Sequence, residues 1–129
     1  NAIAVWQQSD GTQENARASR RAALATGWGT PKALESLAAD VRDVHIDMDL
    51  AGNALVVWDQ NATTTLNATL RARRYLLSSD WEGSADQIGT GHDVALDVNG
   101  GGKALVVAHR LVFGGTTLFT APWALLYQP

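Results

Sequence analysis

The stretch Val44–Gln60, VHIDMDLAGNALVVWDQ, decides how this chain is read, because it nearly recurs at Val94–Arg110 as VALDVNGGGKALVVAHR. Asp47 to Val57 aligns on Asp97 to Val107 at a constant offset of fifty, without a gap. Within the stretch, Val44, Ile46 and Met48 alternate with His45, Asp47 and Asp49. That is the two-residue period of a half-buried strand. Gly52-Asn53 is turn chemistry, since Gly accepts positive φ and Asn tolerates it. Ala54 to Trp58 is then a short apolar run, rich in β-branched and aromatic residues, of the kind that suits a strand covered on both faces.

The repeat extends outward in both directions. NAIAVWQQ, Asn1–Gln8, falls on Asn53–Gln60 at an offset of fifty-two, with Trp6 on Trp58. RRAALATGW, Arg20–Trp28, matches RRYLLSSDW, Arg73–Trp81, at fifty-three. Two separate landmarks at nearly one spacing mark a structural repeat. After Trp58 the polar stretch Asp59–Thr65 reads as a loop. Leu66, Ala68, Leu70, Ala72 and the Tyr75 region then read as a third strand, and Ala85–Ile88 as a weaker fourth. The unit is about fifty residues with four short antiparallel strands, in copies spanning roughly 1–40, 41–90 and 91–129 of a single domain.

One segment argues the other way. TPKALESLAADVRDV, Thr30–Val44, places Leu34, Leu37, Ala38, Val41 and Val44 at helical spacing behind a Pro in the first turn. Its counterpart GSADQIGTGHDV, Gly83–Val94, is interrupted by glycines. A repeat keeps one structure in all its copies, so strand plus loop is expected, with a short helical turn allowed.

The chain has 129 residues, 46% apolar and 18% charged, which fits one globular domain with a real core. A net charge of −3 gives no electrostatic case for nucleic acid or an anionic membrane surface. No apolar run approaches the ~18 residues that a spanning helix needs. With no Cys, disulfides and zinc–thiolate sites are excluded and the redox compartment stays open. No signal peptide is visible, and because the first residue is Asn the encoded start is expected to lie outside this stretch.

Four-stranded units of this length are the mark of propeller blades. The pattern D-x-x-G-N-A-h-h-V-W in HIDMDLAGNALVVW, echoed in ALDVNGGGKALVV and followed by R-x-R-R-Y and a Trp, resembles the repeats of bacterial secreted β-propellers. The resemblance spans nearly the whole chain and implies an all-β fold. It says little about activity, because such folds host lectins, hydrolases and scaffolds alike. It also allows a secreted or cell-surface bacterial location. The last copy departs from the pattern, with Ala108 where Trp58 stood and TAPWALLYQP in place of the arginine cluster.

With strands lettered A to D, the chain reads B-C-D, A-B-C-D, A-B-C. About two and a half blades cannot close a ring, and an open stack leaves apolar faces and strand edges in water. Three resolutions stand open: self-association, with a symmetric dimer expected, a piece of a longer propeller, or a sandwich-like closure.

Chemistry-bearing residues are sparse. Asp47-x-Asp49-x-x-Gly52 and Asp97-x-Asn99-x-x-Gly102 resemble the start of a calcium loop but lack its later oxygen ligands. The expected role of the acids is to bind turn amides, and neither a metal nor another cofactor is expected. QSDGT, Gln8–Thr12, has part of a sialidase Asp-box with the wrong spacing, and is a good turn by itself. His45, His92 and His109 fit no triad or zinc motif. Asp43, Asp47, Asp93 and Asp97 recur at matching positions, which favours structure over catalysis, and no catalytic residue is assigned. Asn61-Ala62-Thr63 and Asn67-Ala68-Thr69 match the N-glycosylation pattern and are read as polar loop residues.

Trp6 and Trp58 are expected in the core between units. Trp28 and Trp81 sit beside turns, where Trp either caps a unit or stacks on a sugar ring. With Arg20, Arg73 and Arg74 they form the candidate ligand-binding set. The expected function is a non-enzymatic propeller-like module for self-association and for ligand or protein binding. A lectin with a glycan ligand is the first alternative, and a fragment of a sialidase-like hydrolase the second.

Overall fold

The computed structural model describes residues 1–61 and 66–128. All regular structure among them is β, arranged as a strongly curled half-barrel. β1 (Ala2–Ser9), β2 (Glu14–Arg21) and the short β3 (Lys32–Ala33) form a three-stranded antiparallel sheet. β4 (Asp40–Met48), β5 (Ala54–Asn61) and β6 (Ala68–Leu76) open the larger sheet, and β7 (Asp80–Trp81) folds back on β6. β8 (Asp86–Val98), β9 (Ala104–Gly114) and β10 (Thr117–Tyr127) complete it, in the order β10-β9-β8-β6-β5-β4.

The repeat is visible in the register. Trp6 lies opposite Arg17, and Trp58 opposite Arg71. Asp47 pairs with Leu55 and Asp97 with Leu105. The two homologous turns are built alike. Gly52 and Gly102 take positive φ of 87° and 83°, and their amides donate to the carbonyls of Asp49 and Asn99 at 3.1 and 2.9 Å. The Asp49 carboxylate accepts the Asn53 amide at 2.8 Å, and the Asn99 side chain accepts those of Gly101 and Lys103 at 3.0 Å. Burial pushes the Asp49 carboxyl up, but the bonds from Asn53, Ala51 and Gly52 outweigh it and hold the group below its ordinary range. The QSDGT stretch joins β1 to β2 as a closed turn. There the Asp10 carboxylate accepts Thr12 Oγ1 at 2.7 Å and the amides of Thr12 and Gln13 at 2.9 and 3.0 Å.

One expectation holds and two are modified. Thr30–Val44 is strand and loop, as expected, and not helical. Leu34 is fully buried beyond β3, its amide bonded to the Ala16 carbonyl at 2.9 Å, and Val41 reaches the same core from β4, whereas Leu37 is exposed. The helical spacing was coincidental, because two extended segments separated by a turn bring the same apolar residues to one core. Strand β5 runs on to Asn61, so residues 59–61 of the expected loop Asp59–Thr65 are strand, and residues 62–65 lie outside those described. The N-glycosylation-like Asn61-Ala62-Thr63 therefore lies only partly among the described residues. In the other match, Asn67 binds both backbone groups of Leu111, at 2.7 and 2.9 Å.

The second difference concerns the units. The last strand of the second copy and the first of the third are one continuous strand, β8. Its first part pairs with β6 and its second with β9, and a bulge between His92 and Ala95 turns the chain. Asp93 sits in that bulge with φ 52°, matching Asp43 with φ 47° in the β4 bulge. Such bulges increase local twist and bend the sheet.

Two apolar clusters form the core, one at each junction between copies. Ala16, Ala18 and Leu34 of the first copy pack on Val41, Val56 and Trp58 of the second. Leu55, Val57, Leu70 and Ala72 of the second pack on Ala104, Val106 and Ala108 of the third. Adjacent residues of β5 thus face opposite clusters, and Ala54–Gln60 is buried throughout. This is the both-faces-covered strand that its unbroken apolar run implies.

Candidate functional site

Two groups of polar and aromatic side chains stand out. The first is a cleft of about 790 Å³ between the first and second copies. The β2–β3 loop supplies one wall. It is fastened to β2 by the Gly29 amide on the Arg20 carbonyl at 2.8 Å and by Ser19 Oγ donating to the Gly29 carbonyl at 2.7 Å. Arg21 Nε adds a bond to the Ala25 carbonyl at 3.1 Å. These bonds hold Trp28, next to Gly29, on the cleft wall with half of its surface in solvent.

The β6–β7 hairpin supplies the other wall. Its turn is closed by Ser79 N–H on the Leu76 carbonyl at 3.2 Å, with Asp80 in the left-handed region at φ 75°. Tyr75 and Trp81 are paired across the hairpin and meet edge to face with centroids 5.4 Å apart. Arg20 reaches over from β2 and lies 5.7 Å from the Tyr75 ring centroid, within cation–π range. Its Nη2 donates to Asn1 Oδ1 at 3.0 Å. Lys32 of β3 hydrogen-bonds Asp80 across the two copies. That bond, ahead of the cost of burial, holds the Asp80 carboxyl below its ordinary range.

Trp28, Trp81 and Arg20 are thus gathered in one cleft. Arg73 and Arg74 are placed elsewhere. Arg73 donates to the carbonyls of Glu82, Leu34, Ala33 and Gly83 at 3.0, 3.0, 3.3 and 2.6 Å, clamping the second copy to the end of β3. Arg74 pairs with Glu82 at 3.4 Å and lines a separate small recess with Asp49, Asn53 and Tyr127. The sequence reading missed Tyr75, Lys32 and Asp80. The repeat carried the only available signal, since Tyr75 and Asp80 fall within the RRYLLSSDW landmark.

The second group surrounds the bulges. Asp59, near the end of β5, is almost wholly buried, and its Oδ1 has no hydrogen-bond partner among the described residues. Burial, and then the nearby Asp43 carboxylate, push its carboxyl above the ordinary range, while His92 pulls the other way. His92 Nδ1 lies 3.8 Å from Asp59 Oδ2, beyond a hydrogen bond, and its Nε2 meets the Leu66 carbonyl at 3.1 Å. His109 Nδ1 is 3.4 Å from Asp93 Oδ2 on the surface. A buried carboxyl pushed above its ordinary range beside an imidazole can serve acid–base chemistry. Here the neighbouring recess is lined by His92, Asp93, His109, Leu111 and Thr120 and not by Asp59. Among the described residues, the buried carboxyl does not open onto that recess.

No family model, curated protein or solved structure matches this chain.

Proposed function

We propose that this chain is a non-enzymatic, propeller-like repeat module that works by binding, both to copies of itself and to a ligand. The observation that carries the ligand half is the cleft uniting Trp28, Trp81 and Arg20 at a junction between copies. Concave sites that join aromatic surface to a few oriented polar groups are built for recognition. The cleft adds Ser19, the Lys32–Asp80 pair and a half-exposed indole, and it lacks a nucleophile hydrogen-bonded to a base. Asp59 is buried and does not line the recess beside His92 and His109, which also supports a non-catalytic reading.

Within this reading a saccharide is the favoured ligand class. An exposed Trp face offers apolar contact to the C–H face of a pyranose, and the flanking Arg, Lys, Asp and Ser groups match its hydroxyls. The two tryptophans share one cleft instead of forming a platform in each copy, which points to one composite site at the junction of the first and second copies. Glycan-array screening followed by calorimetry tests this. Binding of a neutral or acidic saccharide that Trp28→Ala weakens at least tenfold supports the lectin form. No binding at high protein density removes it and leaves a protein-binding module. Turnover of any bound glycan removes the non-enzymatic reading.

A further inference from the structure

The repeat makes the two ends of the chain complementary to each other. On β5 and β6, Leu55, Val57 and Ala72 share one face and are buried by the third copy, through Ala104, Val106 and Ala108. The same face of the third copy is uncovered. Leu105 is 47% exposed where Leu55 is 4%, and Val107 is 40% exposed where Val57 is fully buried. Ala124 and Leu126, their cross-strand partners on β10, extend that face, as does the exposed pair Phe113 and Leu118 farther along. The apolar patch at Leu105, Val107, Ala124 and Leu126 is separated from Phe113 and Leu118 by the exposed His109–Asp93 pair; an exposed apolar patch of this kind is a contact surface.

The face that would cover it stands at the other end of the chain. The second copy covers the first with a face that includes Val56 and Trp58, with Arg71 opposite Trp58. The first copy carries the matching residues Ala4 and Trp6, with Arg17 opposite Trp6, on the side of β1 away from the second copy. No segment among the described residues packs there in either core cluster. One end therefore repeats the covering face and the other end the covered face.

We propose that a second copy of this chain docks head to tail, its β1 face of Ala4 and Trp6 over the β9–β10 face of Leu105, Val107 and Leu126. The contact continues the packing already made twice inside the chain. It is heterologous, so two copies close a ring only when the rotation per junction allows it. This deepens, and rests on, the self-association reading above.

Light scattering of the full chain across a concentration series, with Val107→Glu and Ala4→Glu variants, tests the proposal. The expected results are a wild-type mass of two chains and at least a tenfold rise in dissociation constant for each variant. An equimolar mixture of the two variants recovers a two-chain species, because one intact junction remains between them. Far-UV circular dichroism identifies a variant that fails to fold, and Leu126→Glu, at a well-exposed position, then takes its place. A wild-type dimer unaffected by these variants, or a mixture that stays monomeric, overturns head-to-tail docking while self-association stands. A wild-type chain monomeric at every concentration overturns both.

Discussion

Trp6 and Trp58 show how little a residue's identity says about its energetic weight. Both occupy the same place in the repeat, each opposite an arginine. Trp58 is fully buried between two copies, whereas Trp6 is only partly covered and bonds Gln8 through its indole N–H at 3.2 Å. Trp58→Ala is expected to cost about 3–5 kcal/mol, as large-to-small changes in packed cores do. In the monomer Trp6→Ala is expected to cost about 1 kcal/mol or less, as changes away from a packed core do. Urea denaturation of the two variants reads the difference directly. Asp59 is the other residue-scale case. Its folded carboxyl binds a proton more tightly than the unfolded one. Its ionisation therefore erodes stability as pH rises through the raised folded value, and stability is greatest below the unfolded value near 3.8. Asp59→Asn is expected to raise the urea midpoint at pH 7 and to leave it little changed at pH 3. An equal or lower midpoint at pH 7 would refute that sign.

Elements in this chain are bounded by turn chemistry and bent by bulges. The turns at Gly52 and Gly102 were readable because they require a residue that tolerates positive φ, and Gly supplies it. The bulges at Asp43 and Asp93 were not readable, since Asp is a poor guide to a left-handed residue inside a strand. Their equivalence emerges only from the pairing. β8 depends on a close approach at Gly91, where an added Cβ would lie 2.5 Å from the His109 carbonyl oxygen. Gly91→Ala is therefore expected to destabilise by about 1–3 kcal/mol, the usual cost of overpacking. Gly83→Ala, with nothing near its added methyl, is expected to be close to neutral. Thermal or urea melts of the pair check this. The third copy shows compensation at the same scale. Ala108 replaces the Trp58 equivalent, and Trp123, directly across the ladder, packs against that junction instead. The bulky ring has moved to the partner strand while the face it fills is kept.

At the scale of the whole molecule, the copies form a stack whose inner junctions are satisfied and whose ends are not. In the docking proposed above, Leu105 and Val107 are the residues that association buries. The amino-acid sequence by itself determined the β class, the fifty-residue recurrence and the turns at Gly52 and Gly102. Those follow from local rules, namely the period of two, turn residues and recurrence. Only the tertiary structure decided that β8 is continuous across two copies and that Trp28 and Trp81 share one cleft. It also decided that Arg73 clamps backbone instead of facing a ligand, and that one repeated face is buried in one copy and bare in the next. These depend on which distant strands meet across the curl of the sheet, and no local pattern encodes that.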